Sequence, residues 1–333
     1  MVYLTVTSPW PDAGRAFRYA LVPREELADF TPARDDLDGV VGIPVERIIV
    51  TSTTHIPTLE TLGMESRLVG FPGLDYISSP LTRKRIEAGK VRELGSNDQL
   101  NTERVLSLEP DLVVGFGVSG TPGSYQVLEA SGIPVVYNGD WMEENPLGKA
   151  EWIVFFGLLF GEEQAAKAAF QKVEKAYLEA REIAAAAPES PTVMSGALYR
   201  DVWYLPGGDS WAARFIRDAN ARYLWADAPG GGSLSLSLEA VLEKGTEADF
   251  WIAPSQYTSY SEMGDANTHY QQFRAYREQR IYTYALTQGP TGGLWYFERG
   301  PGRPDLILKD LIHWFHPGLL ADYTPEFFKP LNP

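Results

Sequence analysis

The sequence predicts an α/β protein in which two halves, each built on a central parallel sheet, are joined by a single long α-helix. Three observations carry this. Short β-branched runs alternate with short helical patterns in the first half, the same alternation restarts in the second, and one unbroken helical pattern lies between them. The predicted boundaries are residues 1–147 for the first half, 148–188 for the helical segment and 189–333 for the second half. A length of 333 residues suits two ordinary domains, which usually hold about 100–200 residues each.

Residues 1–46 carry one strand, 17–22 (FRYALV), followed by Pro- and Asp-rich loop. The first βα step is strand 47–52 (RIIVTS) and helix 57–63, which ends at a glycine. Strand 68–71, helix 102–108, strand 111–116, helix 125–131 and strand 134–137 continue the alternation, which implies a parallel sheet covered on both faces. Helices 148–160 and 162–187 follow. In the second of these Ala166, Ala169, Phe170, Val173, Ala176, Tyr177, Ala180, Ile183 and Ala184 share one face. At 1.5 Å per residue that helix is roughly 37 Å long, enough to run from one half to the other. Strand 192–199, helices 210–220 and 237–244, strands 249–253 and 281–285, and helix 304–315 complete the second half. Residues 101–116 and 237–254 share a pattern: Glu near the start of a short helix, then an acidic residue leading into a buried strand.

The composition narrows the function. A formal charge of -15 repels phosphate backbones and anionic lipid, so nucleic acid is not an expected partner. The chain has no cysteine, which excludes thiolate catalysis, cysteine-ligated zinc, iron–sulfur clusters and disulfides. No run approaches the roughly 20 apolar residues that cross a bilayer. Residues 1–10 lack the basic start and apolar stretch of a secretory signal, so two readings stand: a cytoplasmic protein, or a mature chain whose export signal has been removed.

Residues 47–63 (RIIVTSTTHIPTLETLG), 101–114 (NTERVLSLEPDLVV), 132–137 (GIPVVY), the long helix and 236–253, in that order, resemble the periplasmic substrate-binding proteins of ABC importers. The resemblance is to the subgroup serving ferric siderophores, haem and vitamin B12, and it covers residues 47–315. It implies two Rossmann-like lobes, a single spanning helix that limits hinge motion, and a ligand held between the lobes. It further implies a periplasmic protein, or one lipid-anchored at the outer face of the inner membrane, that works as a monomer with a membrane permease and its ATPase. No resident cofactor and no catalytic step are expected. Glu103 and Glu239 match the family's acidic pair, one per lobe, that docks on permease arginines. Read from the sequence, each is also an acidic residue in a first helical turn, where the helix dipole favours it by about 0.3–1 kcal/mol.

Amphipathic aromatic side chains give wide contact to a bulky chelate at low entropy cost. Those expected at strand ends or turns, and so at the ligand, are Tyr76, Phe116, Trp141, Trp203, Tyr204 and Trp295, with Arg200 placed to pair with an acidic ligand group. Trp225 and Trp251, set in apolar patterns, are expected in the core. The expected ligand is a ferric siderophore first, cobalamin second and haem third. His55, His269, His313 and His316 are too scattered for a zinc site, so metal is expected to arrive inside its chelator. One alternative is enzymatic: Ser210, Asp310 and His313 echo the terminal motifs of a GDSL-like serine esterase, with Ser210 as nucleophile. The order and spacing are wrong for that fold, and Ser210 also fits as a helix cap.

Overall fold

A computed structural model of the chain describes residues 1–117 and 120–333. The chain divides into two compact units. The first comprises residues 1–143, 151–171 and 289–293, and the second 144–150, 172–288 and 294–333. Each unit has its own apolar core.

In the first unit a parallel sheet runs in the order Val135–Tyr137, Leu112–Gly115, Ile48–Val50, Leu68–Phe71, Arg92–Glu93. Ile48, Ile49, Val50, Leu112, Val113 and Val114 are fully buried, which is why these strands read as continuous apolar runs. In the second unit Arg222–Tyr223, Thr192–Ser195, Phe250–Ile252 and Ile281–Thr283 form the parallel part of a five-stranded sheet, with Lys329–Pro330 antiparallel at its edge.

The pattern shared by residues 101–116 and 237–254 has a physical cause. Asp111, which precedes the strand Leu112–Gly115, accepts hydrogen bonds from the backbone N–H of Glu46 and Arg47 and from the Arg24 guanidinium. Asp249, which precedes Phe250–Ile252, accepts from Thr192 N at 2.8 Å, from Thr192 Oγ1 at 2.7 Å and from Arg274 Nη1 at 2.9 Å. In both units the carboxylate therefore clips the start of the neighbouring parallel strand, and burial's upward push on its pKa is outweighed by these donors.

Three segments depart from the sequence expectation. The N-terminal region holds a three-stranded sheet, Val2–Val6, Phe17–Pro23 and Gly39–Ile43, where one strand was predicted. The missed strands are partly exposed and carry weak apolar patterning, and the sheet is anchored by Trp10, Phe17 and Tyr137, whose ring centroids lie 4.8–5.2 Å apart. The helix predicted over 148–160 is two, Pro146–Glu151 and Ile153–Phe160. The strand predicted over 192–199 breaks at Gly196, whose φ is +80° and where a Cβ would stand 1.9 Å from the Tyr204 carbonyl oxygen. Glycine is required at that point.

The long helix spans Glu163–Ala185. Ala166 packs in the first core and Tyr177, Ala180 and Ala184 in the second, as the periodicity predicts, whereas Ile183 is exposed. Among the described residues no helix is long and apolar enough to cross a membrane.

Candidate functional site

After Gly196 the chain of the second unit enters a small antiparallel sheet of Ala197–Tyr199, Val202–Pro206 and Ser233–Leu236. The pairing Tyr199↔Val202 leaves Arg200 and Asp201 as a two-residue turn, and Ala197↔Tyr204 fixes the register. Alternation of the pleat then sorts the side chains. Leu198, Trp203, Leu205, Leu234 and Leu236 face the core. Tyr199, Tyr204, Ser233 and Ser235 share the outer face, with Tyr199 64 % and Tyr204 43 % exposed.

That outer face borders a cavity of about 420 Å³ beyond the carboxyl ends of Thr192–Ser195, Phe250–Ile252 and Ile281–Thr283, the edge where ligands of parallel sheets gather. Its wall is aromatic. Tyr284 and Tyr296 stack with centroids 4.7 Å apart at 10°, Phe297 and Phe328 meet them edge-on, and Trp211 and Phe215 close another side. Among the described residues no Asp, Glu, Lys, Arg or His lines it. Burial pushes the pKa of the Tyr296 and Tyr284 phenols up, so both remain protonated donors, and neither hydroxyl makes a hydrogen bond among the described residues.

Backbone strain gathers at the same place. Among the described residues seven non-glycine residues have left-handed φ: Asp12, Glu109, Arg200, Asn220, Ala253, Ser255 and Gln279. Glu109, Asn220 and Gln279 each follow a helix C-cap, an ordinary position for this conformation. Ala253 and Ser255 line the cavity, and Arg200 follows Tyr199, which also lines it. Such residues cost on the order of 1–3 kcal/mol each and collect where a fixed geometry is needed for function.

In the first unit the loops at the carboxyl ends of the strands are held by one carboxylate. Glu93 accepts hydrogen bonds from the backbone N–H of Gly73, Leu74, Leu94 and Gly95 at 2.8–2.9 Å. Burial pushes its pKa up, but the four donors together outweigh this and hold the carboxyl below the usual range. Thr291 Oγ1 donates to Asp75 O at 2.7 Å, fixing the same loop from the segment 289–293. Tyr76 emerges from it 71 % exposed. Phe116 follows the strand Leu112–Gly115 and is half-buried, and Trp141 follows Val135–Tyr137 and is partly exposed. Beneath them His55 is buried against Phe156 at 5.1 Å, and burial holds its pKa down so that the imidazole is neutral. Thr54 Oγ1 donates to Asp140 at 2.7 Å beside it.

The sequence-predicted ligand residues thus fall into three groups. Tyr204 and Arg200 sit on the cavity-side hairpin, and Tyr76, Phe116 and Trp141 sit at strand ends of the first unit. Trp295 is half-buried beneath the Arg299 guanidinium at 5.3 Å and does not line the cavity. Trp203 is a correction: it is 0 % exposed, stacks on Trp251 at 5.3 Å and donates from Nε1 to Ser195 O at 3.0 Å. It lies one residue out of phase with Tyr204, so the pleat turns it inward. Tyr284, Phe297, Phe328 and Ser233 were missed. Tyr284 lies within the predicted strand 281–285 and directly follows the observed strand Ile281–Thr283, and that position was the available signal.

Glu103 and Glu239 occupy equivalent places. Each is the second helical residue, in Thr102–Ser107 after the cap Asn101 and in Leu238–Gly245 after the cap Ser237, and each is exposed. The cap side chains accept from Arg104 N at 3.0 Å and Ala240 N at 3.3 Å. The three esterase candidates do not meet. Ser210 Oγ donates to Gly207 O and caps Ala213 N, His313 Nδ1–H donates to Leu320 O, and Asp310 accepts from Tyr323 and from the N–H groups of Glu326, Phe327 and Phe328. Among the described residues no group of three or more His, Cys, Asp or Glu is placed to hold a metal ion.

Each of the two α/β units is built on a parallel sheet, one continuous helix passes from the first to the second, and the second carries an aromatic cavity at a strand-end edge. A family model described as periplasmic binding protein matches residues 48–285, and the chain belongs to that family, whose members serve ABC importers. An uncharacterized lipoprotein of Methanocaldococcus jannaschii is 26% identical over 304 residues, covering 88% of this chain and 70% of the relative. A periplasmic heme binding protein from Pseudomonas aeruginosa is similar in fold with a TM-score of 0.64 and 22% identity, over 87% of this chain and 99% of that one. An ABC-type Fe3+-hydroxamate transport protein from Saccharomonospora viridis has a TM-score of 0.64 and 18% identity, over 94% and 99%.

Proposed function

We propose that this chain is the solute receptor of an ABC importer for a metal chelate, with a ferric siderophore as the cargo. The observation that carries the reading is the aromatic, charge-free cavity beside Tyr199 and Tyr204, which suits a bulky ligand with an apolar shell. Arg200, on the adjoining turn, supplies a cation for an acidic group on such a ligand. On the first unit, taken by itself, Tyr76, Phe116 and Trp141 are the ligand contacts of this reading. The similar structures named for heme and for Fe3+-hydroxamate support the chelate class. Glu103 and Glu239 present one carboxylate per unit to permease arginines, and the receptor works outside the membrane, as the lipoprotein relative suggests.

The test is a thermal-shift and fluorescence titration of the full chain with ferric hydroxamates, haemin and corrinoids at matched concentration. Saturable stabilisation by a ferric hydroxamate supports the reading. A response to haemin or a corrinoid alone replaces the cargo, and no response to any of them overturns it.

A further inference from the structure

The cavity of the second unit is deeper than a flat recognition face requires. Tyr296 lines it while only 7 % exposed, and its wall continues to the core residues Ile307, Leu311 and Phe328. An apolar cavity of about 150 Å³ is enough to hold benzene. One of 420 Å³ has room for two or three rings.

The lining also says what does not enter. With no charged side chain among its lining residues, the cavity offers little to offset the desolvation of a metal centre ringed by polar ligand oxygens. It does offer two protonated phenols, Tyr284 and Tyr296, stacked on each other and without hydrogen-bond partners among the described residues. Neither phenol oxygen is among the fully buried unpartnered polar atoms, so each meets solvent in the cavity, and an occupant that supplies an acceptor replaces that water where a purely hydrocarbon filling does not. The left-handed residues Ala253 and Ser255 fix the backbone along the same wall.

We propose that this cavity is a recessed subsite for an uncharged aryl arm of the cargo, carrying a hydrogen-bond acceptor for Tyr284 and Tyr296, while the polar chelate centre stays outside at Tyr199, Tyr204 and Arg200. The inference rests on the chelate reading for what the arm is attached to. The cavity's preference for a neutral ring is testable apart from it.

The experiment compares three probes on the full chain by calorimetry: ferric acetohydroxamate, ferric 4-methoxybenzohydroxamate, whose ring carries an ether acceptor, and iron-free 4-methoxybenzohydroxamic acid. The two ferric complexes share a metal centre and differ in the ring. The expected result is that the aryl complex binds about tenfold tighter than the acetyl one. Ala212→Phe, which fills the cavity from the helix Trp211–Asp218, brings that ratio close to one. Tyr296→Phe keeps the ring packing and lowers the ratio, and it serves as the second variant should Ala212→Phe not fold. Equal binding of the two ferric complexes to the wild-type chain overturns the subsite and leaves the receptor reading standing. Binding of iron-free 4-methoxybenzohydroxamic acid that Ala212→Phe abolishes, with neither ferric complex bound, supports the ring subsite and overturns the hydroxamate cargo. A ratio unchanged in both variants overturns the subsite.

Discussion

Trp203 and Tyr204 are adjacent in sequence yet face opposite ways, and replacing each with alanine tests the pleat that builds the site. Trp203 is fully buried among Trp251, Tyr270 and Phe273, with ring centroids 5.3–5.7 Å away, so Trp203→Ala opens a large cavity in the second core. Substitutions of this kind cost about 3–5 kcal/mol. The Ser195 carbonyl also loses its indole donor, a further 1–3 kcal/mol or so if nothing replaces it. In a unit of this size each kcal/mol moves the unfolding midpoint by about 2–4 °C, so the lost packing alone lowers it by roughly 6–20 °C. Tyr204 is 43 % exposed and makes no hydrogen bond through its hydroxyl among the described residues, so Tyr204→Ala costs under about 1 kcal/mol. Thermal unfolding followed by far-UV circular dichroism reads both, and chelate titration of the folded proteins reads function. The reasoning predicts a large stability loss for Trp203→Ala and a binding loss without it for Tyr204→Ala. Equal midpoints for the two variants, or Tyr204→Ala as the less stable, would refute the register.

Other consequences are as concrete. The folded pKa of Glu93 lies below its unfolded value of about 4.3, so its contribution is present above that pH and is lost as pH falls through the folded value. Glu93→Gln should therefore lower the midpoint by an amount equivalent to about 1 kcal/mol at pH 7 and flatten the decline seen below about pH 5 in a pH-resolved melt. Ser210→Ala removes the cap on Ala213 N and should cost about 0.5–2 kcal/mol in urea titration while leaving chelate affinity unchanged. A loss of ester turnover in the same variant would revive the enzymatic alternative. Joint replacement of Glu103 and Glu239 by Arg should leave the midpoint within about 2 °C and chelate binding intact, yet abolish ligand-stimulated ATP hydrolysis by the cognate importer in proteoliposomes; unchanged stimulation would remove the docking role.

Much of the fold was legible because buried parallel strands have to be apolar on both faces. The runs around Ile49, Val113 and Trp251 announced themselves, and Pro304–Phe315 emerged with both ends as predicted. The half-exposed strands Val2–Val6 and Ser233–Leu236 did not, since an edge strand with one wet face carries little apolar signal. The site was only half legible. Tyr76, Trp141 and Tyr204 stand exposed at turns or strand ends, as their positions in the sequence led one to expect, but the orientation of Trp203 depends on a hairpin whose start is set by the steric demand at Gly196. Tyr284 and Phe328 come from distant parts of the chain, and no local pattern ties them to one wall.

The most direct measurement is the affinity of the full chain for ferric hydroxamates before and after combined replacement of Tyr199 and Tyr204 by alanine. The account predicts saturable one-to-one binding by the parent chain, with stabilisation of about 2.7 kcal/mol at a hundredfold excess over Kd, and its loss in the double variant. Undiminished affinity after both tyrosines are removed would contradict the placement of the cargo on this hairpin face.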